Sequence, residues 1–337
     1  MADLQKQPHM AVLGGGAWGT ALACVLAQQH GAVTLWANEA ETVNAINEAR
    51  ENPQFLPDIT LPDAIHATEN LADLSDANII LMVVPAQFAR PVLTALAAHN
   101  KHASLVLCSK GIERGSLKLM SDVAGEIWPH GQLAVLSGPS FAADVARGLP
   151  TAVTLACADA TQGAYLADHI GTAHFRPYLS DDIIGAEIGG AIKNVLAIAC
   201  GIVAGKNLGE SALAAVTARG FAEMNRLGEA LGGKAETFAG LAGMGDMIAT
   251  CTSPQSRNRH VGMELAKGRS IDDIIDTMHM VAEGVKSAPT VIDLAQEKGI
   301  SLPISEDVYR VIIGESSARG VYRGLLRVTA GAESDPG

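Results

Sequence analysis

Short apolar runs alternate with alanine-rich amphipathic stretches through the first half of the chain. The apolar runs predict strands at 10–13, 33–36, 79–84, 104–108, 133–136, 152–157 and 174–178. The stretches between them predict helices, among them 20–29, 88–98 and 117–127. Strand–helix–strand order favours right-handed crossovers, so we expect an α/β fold with a doubly wound, mainly parallel sheet.

After about residue 179 the hydrophobic residues recur at the three- and four-residue spacing of helices. Helices are predicted at 187–202, 210–231, 257–267, 271–278, 285–298 and 305–313, and no convincing strand pattern remains. We therefore expect an α/β domain over 1–182, an all-α domain over 183–328 and a small, acidic, disordered tail over 329–337. A direct join between the domains predicts a ligand cleft between the two lobes.

One polar interruption stands out in the most apolar stretch of the chain, residues 184–203. Lys193 and Asn194 lie in its middle, with Glu187 earlier on an overlapping face. A buried ammonium group costs several kcal/mol unless it is paired or changes protonation state. Lys193 therefore either has a partner or a role in proton transfer, or its amine extends to solvent as most lysines do.

Charge and cysteine usage narrow the function classes. The net charge of −12 over 337 residues offers no basic stripe for nucleic acid. The five cysteines are scattered, with neither disulfide nor metal-ligand spacing, which is typical of a reduced cytosolic protein. No signal peptide is visible and the charged residues in 184–203 argue against a membrane span, so we expect a soluble, cytoplasmic protein without a metal site.

A glycine-rich turn follows the first predicted strand. Gly14, Gly16 and Gly19, with Ala17 and Trp18 between the last two, form a G-x-G-x-x-G pattern that leads into a helix. In this context the glycines allow a tight turn, close approach of a pyrophosphate and close helix packing. The N-terminal domain is therefore predicted to be Rossmann-like and to bind a dinucleotide at that helix terminus.

The type of dinucleotide stays open. The residue that would contact the adenosine ribose is the neutral Asn38, which permits a 2′-phosphate without selecting it, whereas Glu39 one position later would favour NAD. NADP or NAD is expected, with NADPH slightly favoured. The polar segment 41–54 is expected to be a mobile loop over the cofactor.

Three polar islands follow predicted strands or open predicted helices. Lys110 follows one strand, and Gly138 and Ser140 follow another. A third island runs from the glycine-rich loop 240–245 to Asp246 and then to Ser-Arg-Asn-Arg at 256–259. A guanidinium with hydroxyl and amide donors at a helix start suits a small phosphate, although each island alone is also compatible with an ordinary solvated turn.

Taken together, these islands resemble the soluble, bacterial-type NAD(P)-dependent glycerol-3-phosphate dehydrogenases. The resemblance rests on Gly-Gly-Gly-Ala-Trp-Gly at 14–19, Ser-Lys-Gly at 109–111, Ser-Gly-Pro-Ser-Phe-Ala at 137–142, Gly-Gly-Ala-Ile-Lys-Asn-Val at 189–195, Gly-Met-Gly-Asp at 243–246, Ser-Arg-Asn-Arg at 256–259 and Val-Ala-Glu-Gly at 281–284. It implies interconversion of dihydroxyacetone phosphate and sn-glycerol 3-phosphate, feeding phospholipid synthesis in the cytoplasm.

The resemblance also implies site residues. Lys193 falls on the catalytic lysine, and Asp246 and Lys110 are expected beside it. The substrate positions are Lys110, Gly138, Ser140, Lys193, Asp246, Ser256, Arg257 and Asn258. The cofactor positions are Gly14, Gly16, Ala17, Trp18, Gly19, Asn38, Phe55, Lys110, Ala142, Arg257, Val281 and Glu283.

The chemistry of the residues agrees with that implication. A free lysine titrates near ~10.4 and is a poor acid at neutral pH. Burial and a nearby Lys110 would lower the pKa of Lys193, while Asp246 would oppose the shift and orient the amine. We expect Lys193 to protonate the ketone oxygen during reduction and to take the proton back during oxidation.

Two other functions stay open at this point. One is a two-domain dehydrogenase for β-hydroxy acids or sugar-acid phosphates, which would also carry Lys and Asn on its interdomain helix. The other is a sensor that binds NAD(P) without turnover. The alanine-rich helical lobe favours a homodimer.

Overall fold

The computed structural model describes residues 7–129, 132–278 and 282–318. The chain forms two compact units, and each contains its own core. The first comprises Met1–Ser109, Met120–Leu136 and Ser140–Ile183; the second comprises Lys110–Leu119, Ser137–Pro139 and Ile184–Gly337. The predicted tail 329–337 lies outside the described residues. Two short segments that the sequence assigns to the α/β domain thus belong to the helical unit.

The first unit is built on one eight-stranded sheet in the order β3-β2-β1-β4-β5-β6-β7-β8. Its strands are β1 (Met10–Leu13), β2 (Val33–Trp36), β3 (Ile65–Thr68), β4 (Ile79–Met82), β5 (Ser104–Leu107), β6 (Leu133–Ser137), β7 (Thr151–Ala156) and β8 (Phe175–Ser180). β1 pairs in parallel with β2 and β4, β2 with β3, β4 with β5, β5 with β6, and β7 with β8. The mainly parallel α/β fold is therefore confirmed.

The helices of this unit cover the sheet and explain its apolar strands. They are α1 (Ala17–His30), α2 (Ala40–Asn44), α3 (Ala86–Leu96), α4 (Met120–Ile127), α5 (Ala142–Ala146) and α6 (Ala160–Ile170). All four residues of β1 are fully buried, as are those of β4. Parallel strands are buried on both faces, which is why they appear as continuous apolar runs rather than alternating patterns.

The second unit is helical in its described part. Its helices are α7 (Ile183–Gly205), α8 (Glu210–Ala230), α9 (Ala235–Ala239), α10 (Asp246–Thr252), α11 (Arg257–Ala266), α12 (Ile271–Thr277), α13 (Glu283–Lys298) and α14 (Pro303–Ile312). Its core is gathered around α7, whose residues from Gly185 to Val203 are all buried.

Among the described helices, α7 is long and apolar enough to cross a membrane. However, 89% of its most apolar stretch is buried within the protein. The helix is thus surrounded by its own unit, and its hydrophobicity reflects a core position.

Three features differ from the sequence-based expectations. Segment 41–54 is not an extended loop, because α2 and a π-helical turn at Ala45–Ala49 occupy most of it. Strand β3 escaped prediction because two of its four residues, His66 and Thr68, are polar and interrupt the apolar run by which the other strands were recognised. Helices α9 and α10 were not predicted because they are short and lie on either side of the glycine-rich loop 240–245, whose composition favours a turn.

A buried carboxylate joins two helices of the second unit. Glu223 of α8 is 1% exposed and accepts hydrogen bonds from the amides of Ile304 (2.5 Å) and Ser305 (3.1 Å) and from the Ser305 hydroxyl (2.8 Å). It therefore caps the N-terminus of α14 from outside that helix. Burial raises the pKa of Glu223 to about 7, although these hydrogen bonds and Arg226 oppose the shift.

This raised pKa predicts a pH-dependent stability. The folded state binds a proton at Glu223 more tightly than the unfolded chain, so its contribution is full below pH 4.5 and is lost as the pH rises to about 7. We expect wild-type unfolding free energy to lose about 3 kcal/mol from this group across that window. Glu223→Gln should remove this pH dependence in denaturant titrations, and Glu229→Gln on the exposed face of α8 should retain it. An unchanged pH profile for Glu223→Gln would contradict the assignment.

Candidate active site

A carboxylate lies between two lysines in the second unit. Lys193, in the middle of α7, hydrogen-bonds through Nζ to Oδ1 of Asp246, the first residue of α10. The Nζ of Lys110 lies 2.7 Å from Oδ2 of the same carboxylate and 3.4 Å from the carbonyl oxygen of Gly138. Lys193 is 6% exposed and Asp246 is 1% exposed. The structure thus brings together four of the residues selected from the sequence.

The protonation of Lys193 is altered by this arrangement. Its pKa falls from 10.5 to about 7, because burial and the nearby Lys110 lower it more than Asp246 raises it, burial being the largest cause. The direction and the causes are those expected from the sequence. A lysine with a pKa near 7 can both donate and accept a proton at neutral pH.

Thr250 completes the cluster, and sequence analysis missed it. Its hydroxyl accepts a hydrogen bond from Lys193 Nζ at 2.9 Å and donates to the Asp246 carbonyl at 2.6 Å. Asp246 and Thr250 are four residues apart on α10 and therefore share a face, which is the signal that could have identified it. Asp246 and Thr250 together fix the position of the Lys193 amine.

Glycines allow α7 to approach this cluster closely. A Cβ on Gly189 would lie 2.4 Å from the carbonyl oxygen of Ala242, and a Cβ on Gly243 would lie 2.0 Å from that of Phe238. A larger residue at position 189 would push α7 away from the turn that leads into α10. A larger residue at position 243 would instead collide with the backbone of Phe238, in the segment that precedes this turn.

A second polar group lies at the start of α11. Ser256 caps this ten-residue helix by accepting from the amide of Arg259 at 3.2 Å, and Arg257 is exposed. Asn258 donates to Asn194 Oδ1 and accepts from the amide of Gly284, both at 2.9 Å. The Asn258 side chain therefore links α7, α11 and α13, with one amide hydrogen left for another partner.

Glu283, the first residue of α13, is half-buried. Burial raises its pKa, while the cations Lys286 and Arg257 oppose the rise. Val281, a predicted cofactor contact, lies outside the described residues.

In the first unit, the glycine-rich turn leaves open space beside the N-terminus of α1. Gly14 has φ +131°, and a Cβ on Gly19 would lie 1.8 Å from the carbonyl oxygen of Gly14. In contrast, a Cβ on Gly16 would meet no protein atom within 4 Å. Backbone conformation and packing therefore require glycine at positions 14 and 19. At Gly16 the space is open beside the N-terminus of α1, and that helix has no side-chain cap and no acidic residue in its first turn. The turn therefore fits an anionic ligand at Gly16.

The remaining predicted residues of this unit lie in four places. Ala17 and Trp18 open α1, and the Trp18 ring lies 6.3 Å from that of Phe175. Asn38 is exposed after β2, and Phe55 is half-buried in the segment before β3. Ser140 and Ala142 are partly exposed around the start of α5. Among the described residues there is no group of three potential metal ligands.

Comparison with known proteins gives the family. A model described as NAD-dependent glycerol-3-phosphate dehydrogenase N-terminus matches residues 9–163, and one described as the C-terminus of the same family matches 182–323. The chain belongs to the NAD-dependent glycerol-3-phosphate dehydrogenase family. The resemblance drawn from the sequence motifs is thereby confirmed, and the chain is an oxidoreductase of this family.

Individual relatives agree over nearly the full length. Glycerol-3-phosphate dehydrogenase [NAD(P)+] of Caulobacter vibrioides is 55% identical over 94% of this chain and 96% of its own, and that of Parvibaculum lavamentivorans is 52% identical over the same shares. The structure of glycerol-3-phosphate dehydrogenase from Coxiella burnetii, 36% identical, superimposes with a TM-score of 0.92 over 96% of this chain and 99% of that one. A ketopantoate reductase from Ralstonia eutropha (TM-score 0.59, 17% identical) shares the fold alone.

Because Asp246 is shared by two lysines, its replacement should lower the unfolding free energy by an amount that depends on pH. Asp246→Asn keeps the shape but leaves two amines facing each other, so we expect unfolding free energy to fall by about 3 to 5 kcal/mol at pH 6, where Lys193 is charged. The loss should be smaller at pH 8.5, where Lys193 has released its proton. Denaturant titrations at both values measure the difference, with exposed Asp293→Asn as control. Equal losses at both pH values would show that the carboxylate does not stabilise a charged Lys193.

Proposed function

We propose that the chain catalyses the reversible, NAD(P)-dependent interconversion of dihydroxyacetone phosphate and sn-glycerol 3-phosphate. The observation that carries this proposal is the buried Lys193 beside Asp246, with a pKa of about 7. A site that only bound a dinucleotide would have no use for a lysine whose pKa lies near 7. The names of the relatives support the substrate pair.

The first unit would hold the cofactor. The amides at the start of α1 and the open space at Gly16 suit its pyrophosphate, with Asn38, Phe55 and Ala142 as further contacts. The resemblance to the family adds Val281 and Glu283 as proposed cofactor contacts. When bound, a nicotinamide cofactor supplies or accepts the hydride at C2 of the substrate. NAD and NADP both remain candidates.

Lys193 handles the proton in this proposal. As hydride reaches C2 of the ketone, negative charge builds on the carbonyl oxygen, and the Lys193 ammonium gives that oxygen a proton. In the reverse direction the neutral amine removes the hydroxyl proton. Asp246 and Thr250 hold the amine in place in both states, because one accepts from it as an anion and the other as a hydroxyl.

Lys110 adds a second positive charge. Its amine is bound to the opposite oxygen of Asp246, so the carboxylate keeps one cation paired while Lys193 changes charge. Lys110 also favours the neutral form of Lys193 and would attract an anionic substrate to a protein with net charge −12.

The start of α11 is the proposed phosphate site. The guanidinium of Arg257, the remaining amide hydrogen of Asn258 and the Ser256 hydroxyl would donate to the phosphate, and the dipole of the helix adds to their attraction. Gly138 and Ser140, which follow β6, are proposed as further substrate contacts.

We also propose the cellular setting. Glycerol 3-phosphate made in the cytoplasm would supply phospholipid synthesis, and the enzyme would act as a homodimer. These proposals rest on the family and on the apolar helical unit.

The direct experiment follows absorbance of NADH and NADPH with dihydroxyacetone phosphate and, in parallel, with unphosphorylated dihydroxyacetone. Rapid oxidation with the phosphate ester alone is the expected result. Oxidation of NADH or NADPH with an oxo acid, which would be reduced to the hydroxy acid, but not with dihydroxyacetone phosphate would favour the alternative dehydrogenase. Tight cofactor binding without oxidation of either reduced cofactor would favour a sensor.

Removal of the proposed acid should abolish most turnover. Lys193→Ala is expected to lower kcat by roughly 10²- to 10⁴-fold, because proton transfer to the oxyanion is lost. Its dissociation constant for NADH should change little. Lys206→Ala, just after α7, is the matched control and should retain full activity. A Lys193→Ala enzyme with wild-type kcat would rule out the proton-transfer role.

Removal of the proposed phosphate contact should act on binding. Arg257→Ala is expected to raise KM for dihydroxyacetone phosphate by roughly 10- to 100-fold, as expected for loss of a charged hydrogen bond. Activity with unphosphorylated dihydroxyacetone, however low, should stay unchanged, since no phosphate is present. If KM for the phosphate ester stayed at the wild-type value, the phosphate would have to bind elsewhere.

A further inference from the structure

Asn52 is a buried polar residue of the first unit that no part of the proposed mechanism uses. It is 1% exposed and lies outside every helix and strand. Its Nδ2 donates to the carbonyl oxygen of Gly15 at 2.9 Å and to the Thr20 hydroxyl at 2.8 Å, and its Oδ1 accepts from the amide of Phe55 at 3.3 Å. A carbonyl can only accept and an amide N–H can only donate, so these contacts fix the orientation of the side chain.

The contact with Gly15 controls the direction of the next amide. The carbonyl of Gly15 and the N–H of Gly16 belong to one peptide plane and point in opposite directions. Asn52 and the Thr20 hydroxyl, the latter at 3.3 Å, hold that carbonyl toward the protein interior. The N–H of Gly16 must then point away from Asn52, on the side where a Cβ at Gly16 would find open space.

The same side chain anchors a neighbouring segment. The backbone carbonyl of Asn52 accepts from the amide of Leu56 at 2.8 Å while its Oδ1 accepts from Phe55. Asn52 therefore closes a turn over 52–56 and attaches that turn, with its half-buried Phe55, to the glycine-rich turn. One amide group thus fixes two separate parts of the proposed cofactor site.

We propose that Asn52 is a positioning residue for the dinucleotide: it aims the Gly16 amide at the pyrophosphate and holds Phe55 beside it. This inference rests on the proposed function only in that a dinucleotide binds the first unit. Loss of Asn52 should weaken binding of the cofactor and leave the proton chemistry of Lys193 unaffected, since Lys193 belongs to the second unit.

The test compares two buried asparagines of the same unit. Asn52→Leu keeps the approximate volume and removes all three side-chain hydrogen bonds. Asn100→Leu is the matched control, because Asn100 is 4% exposed and donates to the carbonyls of Leu74 and Ala77 away from the glycine-rich turn. Thr20→Val supplies a milder variant that removes one partner of Gly15 and of Asn52 without changing shape. The readouts are the dissociation constant for NADH, from fluorescence titration, and the melting temperature without ligand.

We expect both Asn→Leu proteins to melt at lower temperature, since each loses buried hydrogen bonds. Of these two, only Asn52→Leu should bind NADH more weakly, by about tenfold, and Thr20→Val should raise the dissociation constant about threefold. Both Asn52→Leu and Thr20→Val should keep the wild-type kcat at saturating cofactor. Unchanged NADH affinity in Thr20→Val and in folded Asn52→Leu would overturn the proposal, as would an equal weakening by Asn100→Leu. If Asn52→Leu does not fold, Thr20→Val alone decides. Failure of the wild-type protein to bind either NADH or NADPH would instead contradict the proposed function.

Discussion

The active cluster depends on one carboxylate that serves two lysines in a buried position. In low dielectric, two ammonium groups near each other repel strongly, and each alone pays a large desolvation cost. Asp246 offsets this repulsion with one oxygen for Lys110 and the other for Lys193. The result is a lysine whose charged and neutral forms are nearly equal in free energy at neutral pH.

The rest of the helical unit keeps those groups at hydrogen-bonding distance. Gly189 lets α7 approach the turn before α10, and the amide chain from Asn194 through Asn258 to Gly284 links α7 to α11 and α13. In the first unit, glycines and a buried asparagine also fix backbone positions, but at a proposed cofactor site. There, glycines and the buried Asn52 shape a helix N-terminus that suits an anion, without any positively charged side chain in its first turn.

Sequence reasoning could predict what depends on local pattern and chemistry. Parallel strands are apolar on both faces, so the fold class followed from the residues. The lysine inside an apolar helix marked Lys193, but its neighbours Lys110 and Asp246 were expected beside it only from the resemblance to the family. The roles of Thr250 and Asn52 could not be predicted, because they depend on hydrogen bonds to residues that are distant in the sequence. Strand β3 and helix α10 also escaped, because polar His66 and Thr68 interrupt the apolar run of β3 and because α10 directly follows a glycine-rich loop that favours a turn.

The central claim is that Lys193 titrates near neutral pH, and direct titration of its side chain tests it. Protein labelled with ¹³C at lysine Cε would be followed by NMR from pH 5 to 11, with the Lys193 signal assigned from its absence in Lys193→Met. The account predicts a midpoint close to 7, well below the other lysines. A midpoint near the ordinary lysine value of 10.5 would contradict it.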